Sequence, residues 1–249
     1  LLSALRYYNV PGFGCTIFRK HNKQIFAQGG LWDESQNVYT GIKGAEMKFS
    51  RNLWQFRAKN GRITSKITFA HIEREQNLEQ WQGSQICEIG FDELTHFSEK
   101  IFFYMLSRNR SSCGVKPFVR ATCNPDADSW VAKFIEWWID QETGYPIPER
   151  SGVIRWFIRR EEVIYWADKR EELWERFDLK TYEDREKVKS VTFIMSTLKD
   201  NKELLKIDPG YLANLEALPL IERERLLHGN WKIKAAAGLF FKRTQLGEI

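Results

Sequence analysis

Short apolar runs of strand length alternate along this chain with stretches of helical spacing, an order that predicts an α/β protein with a largely parallel sheet. Three observations carry that prediction. Cys15–Phe18, Ile86–Phe91 and Pro117–Thr122 are mostly apolar and stop abruptly at polar residues, as strands covered on both faces do. Helical spacing lies between such runs, as at Phe97–Arg108. Asn60-Gly61, between the strand-like Leu53–Phe56 and Ile63–Phe69, is the strongest short-range hairpin signal, so one antiparallel hairpin is inserted.

Taken in order, Leu1, Leu5 and Tyr8 sit at one-face helical spacing, and Pro11-Gly12 ends that helix before the Cys15–Phe18 strand and Arg19-Lys20. The hairpin follows, then the polar stretch Glu73 to Gly83 and the strand ending at Asp92-Glu93. After the Phe97–Arg108 helix comes the strand that closes on Thr122 and Cys123-Asn124-Pro125. Asp128 or Ser129 would cap a helix carrying Trp130, Phe134, Trp137 and Trp138 on one face, closed by Gly144 and Pro146. Val153–Ile158 reads as strand, Glu161–Phe177 as amphipathic helix and Val191–Ser196 as a last apolar run. Short helices follow at Tyr211–Leu218 and Ile221–His228.

The 249 residues suffice for one large domain or a medium one with an appendage, and 43% hydrophobic with 29% charged residues argues against disorder, collagen and coiled coil. No apolar run approaches the roughly 18–20 residues of a membrane span. A net charge of +5 is compatible with nucleic acid without singling it out. Cys15, Cys87, Cys113 and Cys123 lie far apart with no CxxC, and Cys15 and Cys87 read as small buried hydrophobes of a reducing cytoplasm. His21, His71, His96 and His228 form no ligand pair, and His71-Ile72-Glu73 reads as surface at a strand end. The helical face of Trp130, Phe134, Trp137 and Trp138 reads as core, against a base-stacking alternative.

Chemistry concentrates at two strand ends. Open α/β sheets bind ligands at the carboxyl ends of strands, where Asp92 and Glu93 could divide labour. The first would hold Mg²⁺ through water and the second orient an attacking water. The alternative is a helix N-cap. Thr122 and Asn124 end the next strand, where a hydroxyl and an amide could bond the oxygens of a γ-phosphate; the alternative there is an Asn-Pro turn. No G-x-x-x-x-G-K-[ST] loop occurs in the sequence. Such a loop leads into a helix, and the expected place for it is just ahead of Leu1.

These features together make the chain resemble the ATPase domain of the large terminase subunit of tailed bacteriophages. LLSALRYYNVPGFGCTIF, over Leu1 to Phe18, is similar to the helix after the family's Walker A loop and the strand that follows. The hairpin with Asn60-Gly61-Arg62-Ile63, then Trp81-Gln82-Gly83, is also typical. ICEIGFDELTHF resembles Walker B, though Gly90 departs from an all-apolar strand, and RATCNPD resembles the coupling motif. DPGYLANLEALPLIERERLLHGNW resembles the segment that closes the domain, and Gly238-Leu239-Phe240-Phe241 lies just beyond it.

The resemblance implies a P-loop NTPase-type, mostly parallel sheet flanked by helices, with an inserted β-hairpin and a small lid subdomain. Residues 1–145 would form the ATPase core without its N-terminal strand and P-loop, 146–233 the remainder with the lid, and 234–249 the start of a linker to a nuclease domain. It implies ATP and Mg²⁺ as cofactors, Asp92 on the metal, Glu93 as catalytic carboxylate, and Thr122 and Asn124 near the γ-phosphate. Arg74 is the candidate arginine finger, set against a solvated arginine within Glu73-Arg74-Glu75; Arg19 is a weaker one. The implied partners are double-stranded DNA, the portal protein, the small terminase subunit and further copies in a ring on the procapsid, in the host cytoplasm. Without Walker A the segment alone is expected to be inactive. Another P-loop motor of helicase type, or a non-catalytic prophage remnant, are the alternatives.

Overall fold

The computed structural model describes residues 1–234, and these divide into two compact units, one of 1–124 with 129–131 and one of 125–128 with the residues from 132 on. In the first unit Leu2–Tyr7 is a 3₁₀ helix rather than the α-helix expected from Leu1, Leu5 and Tyr8. Three residues per turn bring Leu1, Ala4 and Tyr7 into line; Ala4 is buried, and Leu1, Leu5, Tyr7 and Tyr8 all pack on the same core cluster. Strand β1, Phe13–Arg19, follows, then short helix α1, Asn22–Ile25, and α2, Leu31–Tyr39. Helix α2 buries Trp32, Ser35 and Tyr39, a three-to-four-residue spacing, and carries Asp33 and Glu34 in its first turn.

Strand β2, Ala45–Lys48, had no clear signal in the sequence; it is a half-exposed edge whose Glu46 is held by Lys48, Gln55 and Arg57. The hairpin forms as β3, Leu53–Arg57, against β4, Ile63–His71. At its turn Gly61 has φ +80° and Asn60 Oδ1 accepts from the Arg62 N–H at 3.1 Å. Ile72, read as surface, is fully buried beyond β4, while His71 and Glu73 stay exposed. Strand β5, Glu88–Asp92, helix α3, Glu99–Leu106, and β6, Phe118–Thr122, complete the unit.

The sheet order is β2-β3-β4-β1-β5-β6. Strands β4, β1, β5 and β6 are mutually parallel and the hairpin extends one side antiparallel, as predicted. Gly90, the exception in its strand, has a packing reason. A Cβ there would lie 3.2 Å from Ile17 Cγ1 on the neighbouring strand, a tight contact that a side chain at this position would relieve only by shifting Ile17.

Helix α4, Trp130–Phe134, is one short helix followed by a 3₁₀ turn at Glu136–Trp138, not a continuous helix with one aromatic face. Trp130 belongs to the first unit, where its Nε1 donates to the Phe97 carbonyl at 2.8 Å. Phe134 and Trp138 belong to the second and pack with Trp166 at centroid distances of 5.1 and 6.0 Å. Phe134 and Trp138 are core, as the core reading has it, whereas Trp130 and Trp137 are only partly buried.

The second unit is built on β7, Ile154–Arg160, β8, Val163–Ala167, and β9, Lys189–Thr192, in the order β8-β7-β9, all antiparallel. This corrects the helix expected over Glu161–Phe177. Glu161 and Glu162 take φ +46° and +66°, making a two-residue hairpin turn. Val163-Ile164-Tyr165-Trp166, β-branched and aromatic, then pairs back on β7. Helix starts only at α5, Arg170–Arg176, which buries Leu173 against Ile158, Ala167, Leu179 and Val188. After α6, Tyr182–Arg185, come α7, Lys202–Ile207, α8, Gly210–Glu216, and α9, Leu220–Leu226.

The Gly-Asn-Trp segment closes this unit. Asn230 Nδ2 donates to the Thr143 carbonyl at 3.1 Å, and its Oδ1 accepts from the N–H groups of Lys232 and Ile233 at 2.8 and 2.9 Å. Trp231 N–H donates to the Gly144 carbonyl at 2.8 Å. A boundary after Tyr145 would cut between these partners, whereas the division of the structure at 124–132 leaves them together. The linker expected over 234–249, with Gly238-Leu239-Phe240-Phe241, lies outside the described residues except for Lys234, which pairs with Asp128.

Candidate functional site

Parallel pairing sets the site. Asp92 and Thr122 are register partners on β5 and β6, so both strands end at the same level. Thr122 Oγ1 donates to Asp92 Oδ1 at 2.7 Å. One residue on, Glu93 takes the left-handed conformation with φ 61° and ψ 62°, which for a residue with a Cβ costs on the order of 1–3 kcal/mol. That turn holds its carboxylate to Asn124, whose backbone N–H donates to Oε2 at 3.2 Å and whose Nδ2 donates to Oε1 at 3.1 Å. Thr95 Oγ1 reaches the Asn124 carbonyl at 3.5 Å. The four polar residues of the two strand ends thus form two side-by-side pairs.

The capping alternative for Asp92-Glu93 is not what the fold uses. Helix α3 is capped by Ser98, whose hydroxyl accepts from the Ile101 N–H at 3.3 Å. Glu93 precedes only a three-residue 3₁₀ turn, Leu94–His96, and makes no side-chain cap bond to it.

Charge at the site is balanced by Arg19. As the last residue of β1, the strand beside β5, it brings its Nε to Asp92 Oδ2, with the two side chains 24% and 21% exposed. Arg74 is placed differently. It is exposed ahead of the 3₁₀ segment Glu75–Trp81, its backbone N–H bonded to Asn77 Oδ1 at 3.0 Å. Among the described residues no hydrogen bond or ion pair joins its side chain to Asp92 or Glu93.

Alternation along β5 puts Glu88, Gly90 and Asp92 on one face. They line a cavity of about 150 Å³ with Ser3, Arg120 and Thr122. Glu88 is 3% exposed, and burial pushes its carboxyl up, opposed by Ser3 and Arg120. The sequence alone gives this residue no role, although its position four residues, two alternations, before Asp92 places it on the same face.

Asp92 and Thr122 offer hard oxygen donors, which suit Mg²⁺ rather than a soft metal. Among the described residues no three His, Cys, Asp or Glu side chains converge as an all-protein metal cage, and Mg²⁺ at phosphate sites needs only one or two carboxylates. The donor set therefore fits that ion. Among the described residues no helix is long and apolar enough to cross a membrane.

Comparison with known proteins agrees with this architecture. The family described as "Terminase large subunit, T4likevirus-type, N-terminal" matches residues 4–248. No curated protein sequence matches. The solved large terminase of a thermophilic bacteriophage is 13% identical, with a TM-score of 0.52 over 90% of this chain and 42% of that one. A structure of the same phage protein in complex with ATP-gamma-S is 13% identical, with a TM-score of 0.49 over 92% of this chain and 42% of that one. The Thermus phage P74-26 large terminase ATPase domain is 12% identical, with a TM-score of 0.47 over 92% of this chain and 80% of that one. The chain thus spans about two fifths of the length of the full terminases it matches. With a family match over nearly its whole length and a fold shared with a solved large terminase, this chain belongs to the T4-type large terminase subunits, as their N-terminal part.

Proposed function

We propose that this chain carries the hydrolytic carboxylates of a DNA-packaging motor that couples ATP hydrolysis to translocation of double-stranded DNA into a procapsid. One observation carries the reading: Asp92 and Glu93 end one parallel strand and are bonded to Thr122 and Asn124 at the end of the next. Asp92, steadied by Thr122 and Arg19, would hold the cation of Mg²⁺–ATP. When bound, that cofactor supplies the γ-phosphoryl group and the charge that neutralises its oxygens. Glu93 would orient the attacking water and accept its hydrogen bond.

Asn124 gives the coupling a physical form. Its amide and backbone N–H are committed to Glu93 in this structure, and an amide that turned to a phosphate oxygen would release that carboxylate. Phosphate state and carboxylate position would then change together. A guanidinium stabilising transition-state charge is the remaining part, with Arg74 the expected finger and Arg19 nearer the carboxylates. Portal protein, small terminase subunit and further copies in a ring in the host cytoplasm complete the proposed setting.

The test is Glu93→Gln in the intact protein. Hydrolysis should fall by roughly 10²–10⁴-fold, while the affinity for a non-hydrolysable ATP analogue stays within about threefold. Unchanged turnover would sink the assignment, and an intact wild type without any turnover would favour a non-catalytic remnant.

A further inference from the structure

Sequence spacing left the cysteines apart, yet the fold brings Cys87 and Cys113 to a sulfur–sulfur distance of 4.0 Å. The reason is in the connection between α3 and β6. Asn109 Nδ2 donates to the carbonyls of Ile86, Cys87 and Phe118 at 3.0, 2.9 and 3.2 Å. Phe118 N–H donates to the Cys87 carbonyl at 3.0 Å. Both ends of the connection are therefore pinned beside Cys87, and the residues between arch over its side chain.

The two thiols differ in setting. Cys87 is 3% exposed and its Sγ bonds the Val115 carbonyl at 3.6 Å. Cys113 is half-buried on the arch, with the Ser111 hydroxyl 3.2 Å from its Sγ and accepting its backbone N–H at 3.2 Å. Next to it, Gly114 sits at φ +83°, and nothing lies within 4 Å of where a Cβ would be. The arch has room and a pivot for the roughly 2 Å of approach that a disulfide needs.

We propose that Cys87 and Cys113 are a thiol-pair modification site, oxidised to an intramolecular disulfide by a small disulfide of the glutathione type. Cys113, the accessible sulfur, loses its proton to solvent and attacks one sulfur of the oxidant, releasing one small thiolate. Cys87 then attacks Cys113 Sγ, loses its own proton to solvent, and expels the second small thiolate. Two protein thiols are oxidised to one disulfide, and one small disulfide is reduced to two thiols. The order follows from exposure. It also agrees with acidity: burial pushes the Cys87 thiol up. For Cys113 partial burial is outweighed by bonds with Ser111, the Val115 backbone and Cys87, leaving it below the usual thiol value.

The experiment treats the intact protein with oxidised glutathione, blocks remaining thiols with iodoacetamide, and maps tryptic peptides by mass. The expected product links peptide 75–100 to peptide 111–120, lighter than the two reduced peptides by two hydrogens. It should form at least about tenfold faster in folded protein than in concentrated urea, since the fold supplies the proximity. Cys113→Ala should leave Cys87 unlinked and unmodified. Cys87→Ala should instead accumulate a glutathione adduct on Cys113. Overturning results are a stable adduct on Cys113 in the unsubstituted protein, a link from either cysteine to Cys15 or Cys123, or full alkylation of both.

Discussion

In the first unit the guanidinium of Arg19 goes to a carboxylate at a strand end, whereas in the second unit arginines lie over ring faces. Arg150 and Arg155 stack on Trp137 at 4.6 and 4.8 Å, Arg170 and Arg185 on Trp174 at 4.8 and 4.9 Å, and Arg160 on Phe177 at 4.6 Å. Each exposed contact of this kind is worth about 0.5–1 kcal/mol. It gathers long side chains onto a small three-stranded sheet. The difference is one of density: Arg155 and Arg170 also pair with Asp168 and Glu171, and in the first unit Arg108 lies over Tyr104, but arginine–ring contacts are concentrated in the antiparallel unit. Topology does separate the strand ends, because a parallel sheet brings several carboxyl ends to one edge whereas neighbouring antiparallel strands place theirs on opposite edges.

The sharpest way to break that contrast is Trp138→Ala. This side chain is fully buried, meets Trp166 edge to face, and donates to the Val153 carbonyl at 3.2 Å. Its loss should cost about 3–5 kcal/mol. Hydrogen exchange should accelerate in β7, β8 and β9 and stay unchanged in β1, β5 and β6; equal loss of protection in both sets would mean the units are not separate in stability.

A smaller effect is expected for Thr122→Val, which keeps shape and removes the bond to Asp92. Stability should change by about 1 kcal/mol, while hydrolysis by the intact protein should fall roughly tenfold. Wild-type turnover would reduce Thr122 to a structural residue.

The smallest effect concerns pH. Burial raises the carboxyl of Glu88 above its ordinary 4.5, so the folded state keeps that proton to higher pH than the unfolded chain. Its contribution is fully present below the ordinary value and lost as pH rises through the raised one. Glu88→Gln removes that loss, so the variant should gain on wild type in urea unfolding as pH rises above the ordinary carboxylate range. A difference that stays constant over that rise would show that Glu88 titrates normally.

Much of the site was legible because its signals are local. Asp92-Glu93 and Thr122 with Asn124 each stand where an apolar run stops, and a parallel sheet brings such stops together. The hairpin was legible for the same reason, since Asn60-Gly61 dictates its own turn. Glu161–Phe177 was misread because its charges fit a helical face, while pairing with β7 claimed Val163–Ala167 for a strand. The aromatic helix was misread because Trp130 and Phe134, four apart, serve different units.

Local chemistry by itself determined the α/β class, the inserted hairpin and the polar strand ends, since periodicity and turn residues act over a few positions. Tertiary structure alone decided that Arg19 rather than Arg74 contacts a site carboxylate, that Gly90 admits Ile17, and that Cys87 meets Cys113. Each of those depends on which strands become neighbours, and strand order is set by burial over the whole sheet rather than by any one segment.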